Sequence, residues 1–172
     1  MTALDDLKSE LDDVANDFFH IELGPLIVSV ERMIESHHKN IFEQELAPSG
    51  AYWEELAEST VEAKGHAIIL EDLGDLLQSL TFGGMGDAIR ERHTTTGAAE
   101  LLFGTTDPKS EFHQKGTKKM PQREHVGLND IFIDEFMVPG IADFVIKKLK
   151  EKRSVFHRIA GEFDVDEVPE EI

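Results

Sequence analysis

The chain has 172 residues, enough for one domain with a core of its own, and no Cys, which excludes disulfides and thiolate metal sites. Asp and Glu number 35 against 17 Lys and Arg, a net charge of −18. That balance argues against a surface that wraps duplex DNA, because phosphate binding needs excess cation. The acids crowd residues 1–86 and 162–172, whereas residues 87–161 hold most of the Lys and Arg. Such asymmetry permits a charge-complementary contact between copies or with a basic partner, and it equally describes a well-solvated surface. The acidic start, Met1-Thr2-Ala3-Leu4-Asp5-Asp6, does not read as a secretory leader, and no apolar run approaches the roughly 20 residues of a membrane helix. A soluble protein made in the cytoplasm is expected.

Residues 4–19 place Leu4, Leu7, Leu11, Val14 and Phe18 at helical intervals, opposite Asp5, Glu10, Asp12, Asp13 and Asn16, which predicts an amphipathic helix. Gly24-Pro25 breaks it, and Pro25 suits the first turn of the next helix. There Leu26, Val30, Met33, His37 and Ile41 form one stripe, widened by Ile27, Ile34 and Phe42, up to the stop at residues 47–50. A shorter helix is expected over residues 52–64, with Trp53, Leu56 and Thr60 on one face and Gly65 as its end. After the apolar stretch 67–70, Asp72 reads as the cap of a third helix whose core face is Leu73, Leu76, Leu77 and Leu80, ended by glycines at 83–86.

The pattern then changes. Residues 88–96 alternate like a half-exposed strand, Gly97 allows a turn, and 98–105 look like the antiparallel partner. Residues 106–120 read as a long loop and 122–126 as a third strand. Gly127 and Asn129 open a C-terminal helical region, which Pro139-Gly140 interrupts and Ile141, Phe144, Val145 and Leu149 resume. The acidic tail, 162–172, has little to bury and is expected to be mobile. The fold class that follows is α+β: three to four helices packed on a small antiparallel β-sheet in a single domain, 1–161, with a long loop and that tail.

Eight His and many carboxylates invite a metal or hydrolase reading. Adjacent His37 and His38 diverge by about 100° on a helix, so they cannot share a metal without distortion. No H-E-x-x-H pair, G-x-S-x-G elbow, P-loop or G-x-G-x-x-G follows the required elements. No catalytic, cofactor-binding or metal-ligating residue is assigned. Gly74, inside a helical run, signals either close backbone packing or a helix start. Arg123 is expected to pair with a carboxylate, and Trp53 to anchor the core. The basic loop Lys115-Gly116-Thr117-Lys118-Lys119 is the candidate for contact with nucleic acid, a solvated loop being the alternative.

Several residues also stand in a fixed order. They read Pro48-x-Gly50-x-x-Trp53-x-x-Leu56-x-x-x-Thr60-x-x-x-Lys64, then Ile69-Leu70-x-Asp72-x-Gly74-x-Leu76-x-x-Ser79, then His113-Gln114-x-Gly116, then Pro121-x-Arg123 and Gly127. Over about residues 42–130 this resembles the phage virion morphogenesis (tail completion) family, the group that includes the Mu G-like proteins. The departures are Leu73-Gly74-Asp75-Leu76 for the usual Thr-Gly-x-Leu, Ser110-Glu111-Phe112 before His-Gln, and Pro121-Gln122-Arg123-Glu124-His125 for Pro-Ala-Arg-Pro-Phe. The N-terminal helices, 4–46, and the acidic tail lie outside the match.

The resemblance implies a structural virion part of the head–tail junction and not an enzyme. It would be assembled in the host cytoplasm as a ring, hexameric in the family, between the tail tube or tail terminator and the portal or head-completion proteins. Trp53, Gly74, His113, Gln114, Gly116, Pro121 and Arg123 would then be assembly or family-motif residues. Lys115, Lys118 and Lys119 would line a channel for DNA, and no cofactor is implied. Two other classes remain: an acidic DNA mimic or inhibitor that binds a basic protein, and a small metal-dependent hydrolase.

Overall fold

The computed structural model describes residues 8, 9, 12, 13, 15, 16, 20–81 and 86–161, with side chains in the last helix described as far as Lys152. Of the helix expected over 4–19, the described positions are helical and exposed, and its apolar positions lie outside the described residues, as does the tail 162–172. The rest is an α+β fold built on one long helix.

That helix, α1 (Gly24–Gln44), starts with Pro25 in its first turn, where a missing N–H is harmless. Its buried positions are Ile27, Glu31, Ile34, Glu35, His38, Ile41 and Phe42, an unbroken 3.6-residue stripe that includes two carboxylates. The expected stripe through Leu26, Val30, Met33 and His37 is instead a half-buried flank. Glu45 ends the helix in a left-handed conformation, φ 54°, and Leu46 N donates to Ile41 O at 3.0 Å. A non-glycine residue in that conformation is strained, and Glu45 is held there by its side chain. Its Oε1 accepts the Ile69 amide at 2.7 Å, and its carbonyl accepts Trp53 N at 2.9 Å.

The chain then runs extended through Trp53 before α2 (Glu58–Lys64) and α3 (Asp75–Leu80). Helix α2 buries nothing, so the expected helix over 52–64 begins six residues late, with Trp53 ahead of it and Thr60 exposed. Helix α3 is capped by Gly74, φ 84°, and not by Asp72; Leu76 and Leu80 enter the core whereas Leu73 stays 76% exposed. Ile41, Phe42, Trp53, Ile69, Leu76 and Leu80 form the buried cluster, with Leu56, Phe103 and Val126 packed against it.

The hairpin came out as expected. Strands β1 (Ala88–Thr95) and β2 (Ala98–Thr105) pair antiparallel around Thr96-Gly97, from Ala88↔Thr105 to Thr95↔Ala98. Its inner half rests on α1 and α3, and its outer half is exposed. Arg90 makes the joint. Its Nη1 donates to Ile89 O and Gly104 O, its Nη2 donates to Ser79 O at 3.0 Å, and its guanidinium lies 3.6 Å over the Phe103 ring. Its Nε stands 3.5 Å from Glu35, while Arg92 forks onto Glu31, with Nη2 to Oε1 at 2.7 Å. Burial pushes the Arg90 pKa down, and Glu35 and Glu31 pull it back up. Two glutamates therefore lie on the inner face of α1 because two arginines of β1 meet them there.

Two expectations fail beyond the hairpin. Residues 122–126 form no strand, and the loop expected over 106–120 contains helix α4 (Pro108–Lys115), capped by Asp107, whose Oδ1 accepts Lys109 N at 2.8 Å. With little apolar periodicity, α4 is specified by its cap and by Pro108, which a hydrophobic pattern does not register. The C-terminal region begins as expected at Asn129, whose Oδ1 accepts Phe132 N at 2.6 Å to start α5 (Asp130–Phe132). A π-helical turn, Ile133–Met137, then leads into α6 (Val138–Gly161) without the expected interruption at Pro139. A proline ring clashes with the carbonyl four residues before it in a regular helix, and the widened turn stands where that clash would fall. Gly140 lets the helix lie against Met33, where a β-carbon would stand 3.2 Å from the methyl carbon.

Removing Arg90 takes its guanidinium from beside Glu35 and strips donors from Ser79 O and Gly104 O. Arg90→Ala is expected to lose about 3–5 kcal/mol of stability in a denaturant titration. A loss under about 1 kcal/mol would mean that the joint is open to water.

Candidate functional site

The spaced residues of the sequence meet at residues 121–129, a strap with neither helix nor strand pairing. A buried segment of this kind must find its hydrogen bonds elsewhere. Three elements supply them.

The lead-in to α2 supplies the first. Trp53, buried and edge-on to Phe42 at 5.5 Å, donates its indole N–H to Glu124 O at 2.7 Å. Arg123, 4% exposed, reaches the other way: its Nε and Nη2 donate to Glu54 O at 2.9 and 2.8 Å, and Nη2 also donates to Glu55 O at 3.1 Å. The carboxylate partner expected for Arg123 is thus replaced by backbone carbonyls. Burial pushes its pKa down, and the charges of Glu54 and Glu45 pull it back up.

Helix α4 supplies the second. The Gln114 side chain mimics a strand neighbour: Oε1 accepts His125 N and Val126 N at 3.0 and 3.1 Å, and Nε2 donates to Val126 O at 2.9 Å. His113 O accepts Arg123 N at 2.7 Å. Gly116 ends the helix at φ 68°, where a β-carbon would stand 2.9 Å from the Gln122 nitrogen, so both conformation and space require glycine. Ser110 Oγ and His125 Nε2 are 2.9 Å apart, and His125 Nδ1 lies 3.0 Å from Arg123 O. The carbonyl can only accept, so Nδ1 carries the proton and Nε2 accepts from the Ser110 hydroxyl.

The turn after α1 supplies the third. Asn129 Nδ2 donates to Pro48 O at 2.7 Å, and a β-carbon on Gly127 would meet the Pro48 ring at 3.1 Å.

Trp53, His113, Gln114, Gly116, Arg123, Pro48 and Gly127 are therefore brought together in one lattice. Gly74 is not part of it. It starts α3 and meets Gln78 only at ordinary contact distance, which selects the helix-start reading over close packing. Glu124, Ser110, His125 and Asn129 were not foreseen as partners, and Asn129 alone carried a signal, as a helix opener.

Beside the lattice runs a groove of about 490 Å³. Pro121, Arg123 and His113 line it from the strap and α4, and the bend at 70–74 lines it from the other side, with Leu70 at φ 54°. Its charges are mixed, with Glu54, Glu55 and Asp75 set among Lys64, Lys109 and Lys119. The lysines of the basic loop divide: Lys115 pairs with Glu111 at 2.8 Å on α4, whereas Lys118 and Lys119 sit exposed in the turn closed by Thr117 and Met120.

The Ser110–His125 pair has the separation of a nucleophile and its base. His125 is fully buried, however, and the groove touches α4 at Lys109 and His113, a different face from Ser110. The pair braces the strap. Burial lowers the pKa of His113, with His125 and Arg123 adding to the effect, and burial likewise lowers that of His125. Both rings are thus neutral packing groups at neutral pH. Among the described residues, no cluster of three or more His, Asp and Glu could hold a metal ion, and no helix is long and apolar enough to cross a membrane. In comparisons with known proteins, no family, no curated sequence and no solved structure matches this chain.

Trp53→Ala is expected to cost about 3–5 kcal/mol, and Trp53→Phe, which keeps a ring but leaves Glu124 O without its donor, about 1–3 kcal/mol. Equal losses in denaturant titrations of the two would mean that the indole hydrogen bond contributes nothing. Gly116→Ala should cost at least about 2 kcal/mol, the strain of its φ adding to the contact with Gln122.

Proposed function

We propose that this chain is a structural virion protein of the head–tail junction, a tail completion or neck component that forms a ring of copies and makes the tail competent to join the DNA-filled head. The observation that supports this reading is the lattice itself. Residues whose order resembles the virion morphogenesis family converge on one strap: Trp53 and Gln114 bond its backbone at 124–126, His113 O accepts Arg123 N, and the Arg123 side chain reaches back to the backbone at 54–55. A shared sequence pattern is meaningful when its members serve one structural unit, and these hold the same strap.

On this reading the motif residues hold the strap and groove in shape, and the contacts with neighbours fall to the surfaces around them. The exposed outer half of the hairpin and the turn with Lys118 and Lys119 are the elements free to meet a second copy, the tail tube or terminator, the portal side, or DNA in the channel. The mechanism is interfacial: no bond is made or broken, and segments order against neighbours as the ring closes.

Electron microscopy of particles made without this gene, beside a complemented control, tests the proposal. Filled heads separate from unjoined or abnormal tails are expected. Normal infectious particles would overturn it and favour an acidic inhibitor of a basic protein, a reading drawn from the charge of −18. Neutralising Lys115, Lys118 and Lys119 together should reduce DNA retention while leaving the fold intact; unchanged retention would remove DNA from the list of partners.

A further inference from the structure

His38 is the most completely enclosed titratable side chain on the inner face of α1, 1% exposed. Its Nδ1 lies 2.8 Å from Ile34 O, a carbonyl that can only accept, so Nδ1 carries the proton. Its Nε2 is buried without any hydrogen-bond partner. One face of the ring stacks on Phe103 of β2, centroids 5.2 Å apart, the ring that Arg90 also covers.

The charged and titratable groups around His38 are of one kind. Arg90 reaches it from β1, His125 from the strap and His37 from its own helix, and each disfavours a positive charge on His38. Glu31 and Glu35 also lie on α1, but they engage Arg92 and Arg90. From β2 it meets the uncharged Phe103. Asp107 acts on His125 and His113 and is not among the groups acting on His38. A proton on Nε2 would therefore place a second N–H against nothing, at the seam that seats the hairpin.

We propose that His38 is a proton-operated latch: neutral, it lets the β1–β2 hairpin seat on α1, and protonated, it releases the hairpin. The inference does not depend on the junction reading and adds a condition under which the hairpin becomes free to rearrange.

The direction follows from linkage. In the released state His38 has its ordinary value of 6.5, and seated it is lowered to about 4, chiefly by burial. The released state therefore binds the proton more strongly. Seating is at full strength above pH 6.5 and weakens by up to about tenfold per pH unit between 6.5 and about 4, on the order of 10²-fold in all. His37, His113 and His125 are also lowered by burial, but they lie on α1, α4 and the strap, outside the hairpin. Relief of overall charge repulsion by acid acts the opposite way, and His38→Gln keeps the Glu31–Arg92 and Glu35–Arg90 pairs, so that variant separates their loss from the latch.

The test is an NMR titration of the full chain from pH 8 to 4, following the His38 ring, the hairpin amides and the Trp53 indole N–H. Hairpin signals that move with the His38 ring, below pH 6 and before the Trp53 indole loses its partner, support the latch. Overturning results are a His38 ring that titrates near 6.5 with the hairpin unmoved, or an acid transition that survives unchanged in His38→Gln. If that variant fails to fold, the wild-type titration alone decides.

Discussion

A segment with neither helix nor strand can be buried only where other groups complete its backbone hydrogen bonds, and residues 121–129 impose that requirement on the rest of this molecule. Trp53 satisfies a carbonyl of the strap, and Gln114 satisfies two amides and a carbonyl. Arg123 returns the favour to the carbonyls of Glu54 and Glu55, which would otherwise face a buried arginine as unpaired acceptors. Each bond is modest by itself, about 1 kcal/mol net, but leaving any one buried group unpaired costs more than making the bond gains. The lattice therefore holds as a unit, and it fixes the approach of α4, the α2 lead-in and the turn after α1.

The charge of the chain is managed by the same separation of inside and outside. Among the described residues most of the acids lie on the surface, where water and counter-ions screen them. The buried acids are Asp107, which caps α4, and the two glutamates on the inner face of α1, each of which faces an arginine of β1. Arg90 joins its own strand, the opposite strand, α3, the Phe103 ring and Glu35 of α1 at once. The hairpin thus depends on α1 for its position, since two strands alone bury too little to stand by themselves. The four histidines with lowered pKa values, His38 and His125 buried and His37 and His113 half-buried, are shifted chiefly because withdrawal from water disfavours an imidazolium.

Where the reading of the sequence went astray, non-local contacts were the cause. Residues 122–126 read as a strand, but the groups that pair with them are side chains from α4 and the α2 lead-in and the His113 carbonyl. Residues 52–57 have helical spacing, yet Trp53 N is drawn to Glu45 O and its indole to Glu124 O, which holds the backbone extended. The expected stripe of α1 holds apolar residues and His37, and Glu31 and Glu35 belong to the inner face only because β1 brings arginines to meet them. Pro139 looked like a break because a proline interrupts a regular helix, and a π-helical turn removes that conflict.

The sequence by itself determined the α+β class, the long helix after Gly24, the hairpin around Thr96-Gly97 and the opening of the C-terminal helices at Asn129. These rest on periodicity, caps and turn residues, which act within a few positions of one another. The order of its residues also singled out Trp53, His113, Gln114, Gly116 and Arg123, which meet at the strap, together with Gly74, which does not. What only the tertiary structure decided was how they meet: that Arg123 binds carbonyls and not a carboxylate, that Gln114 stands in for a strand, and that Gly74 starts a helix while Gly116 yields to a neighbouring backbone. Those outcomes depend on burial, because a polar group withdrawn from water must take whichever partner the fold places beside it, however distant in the chain.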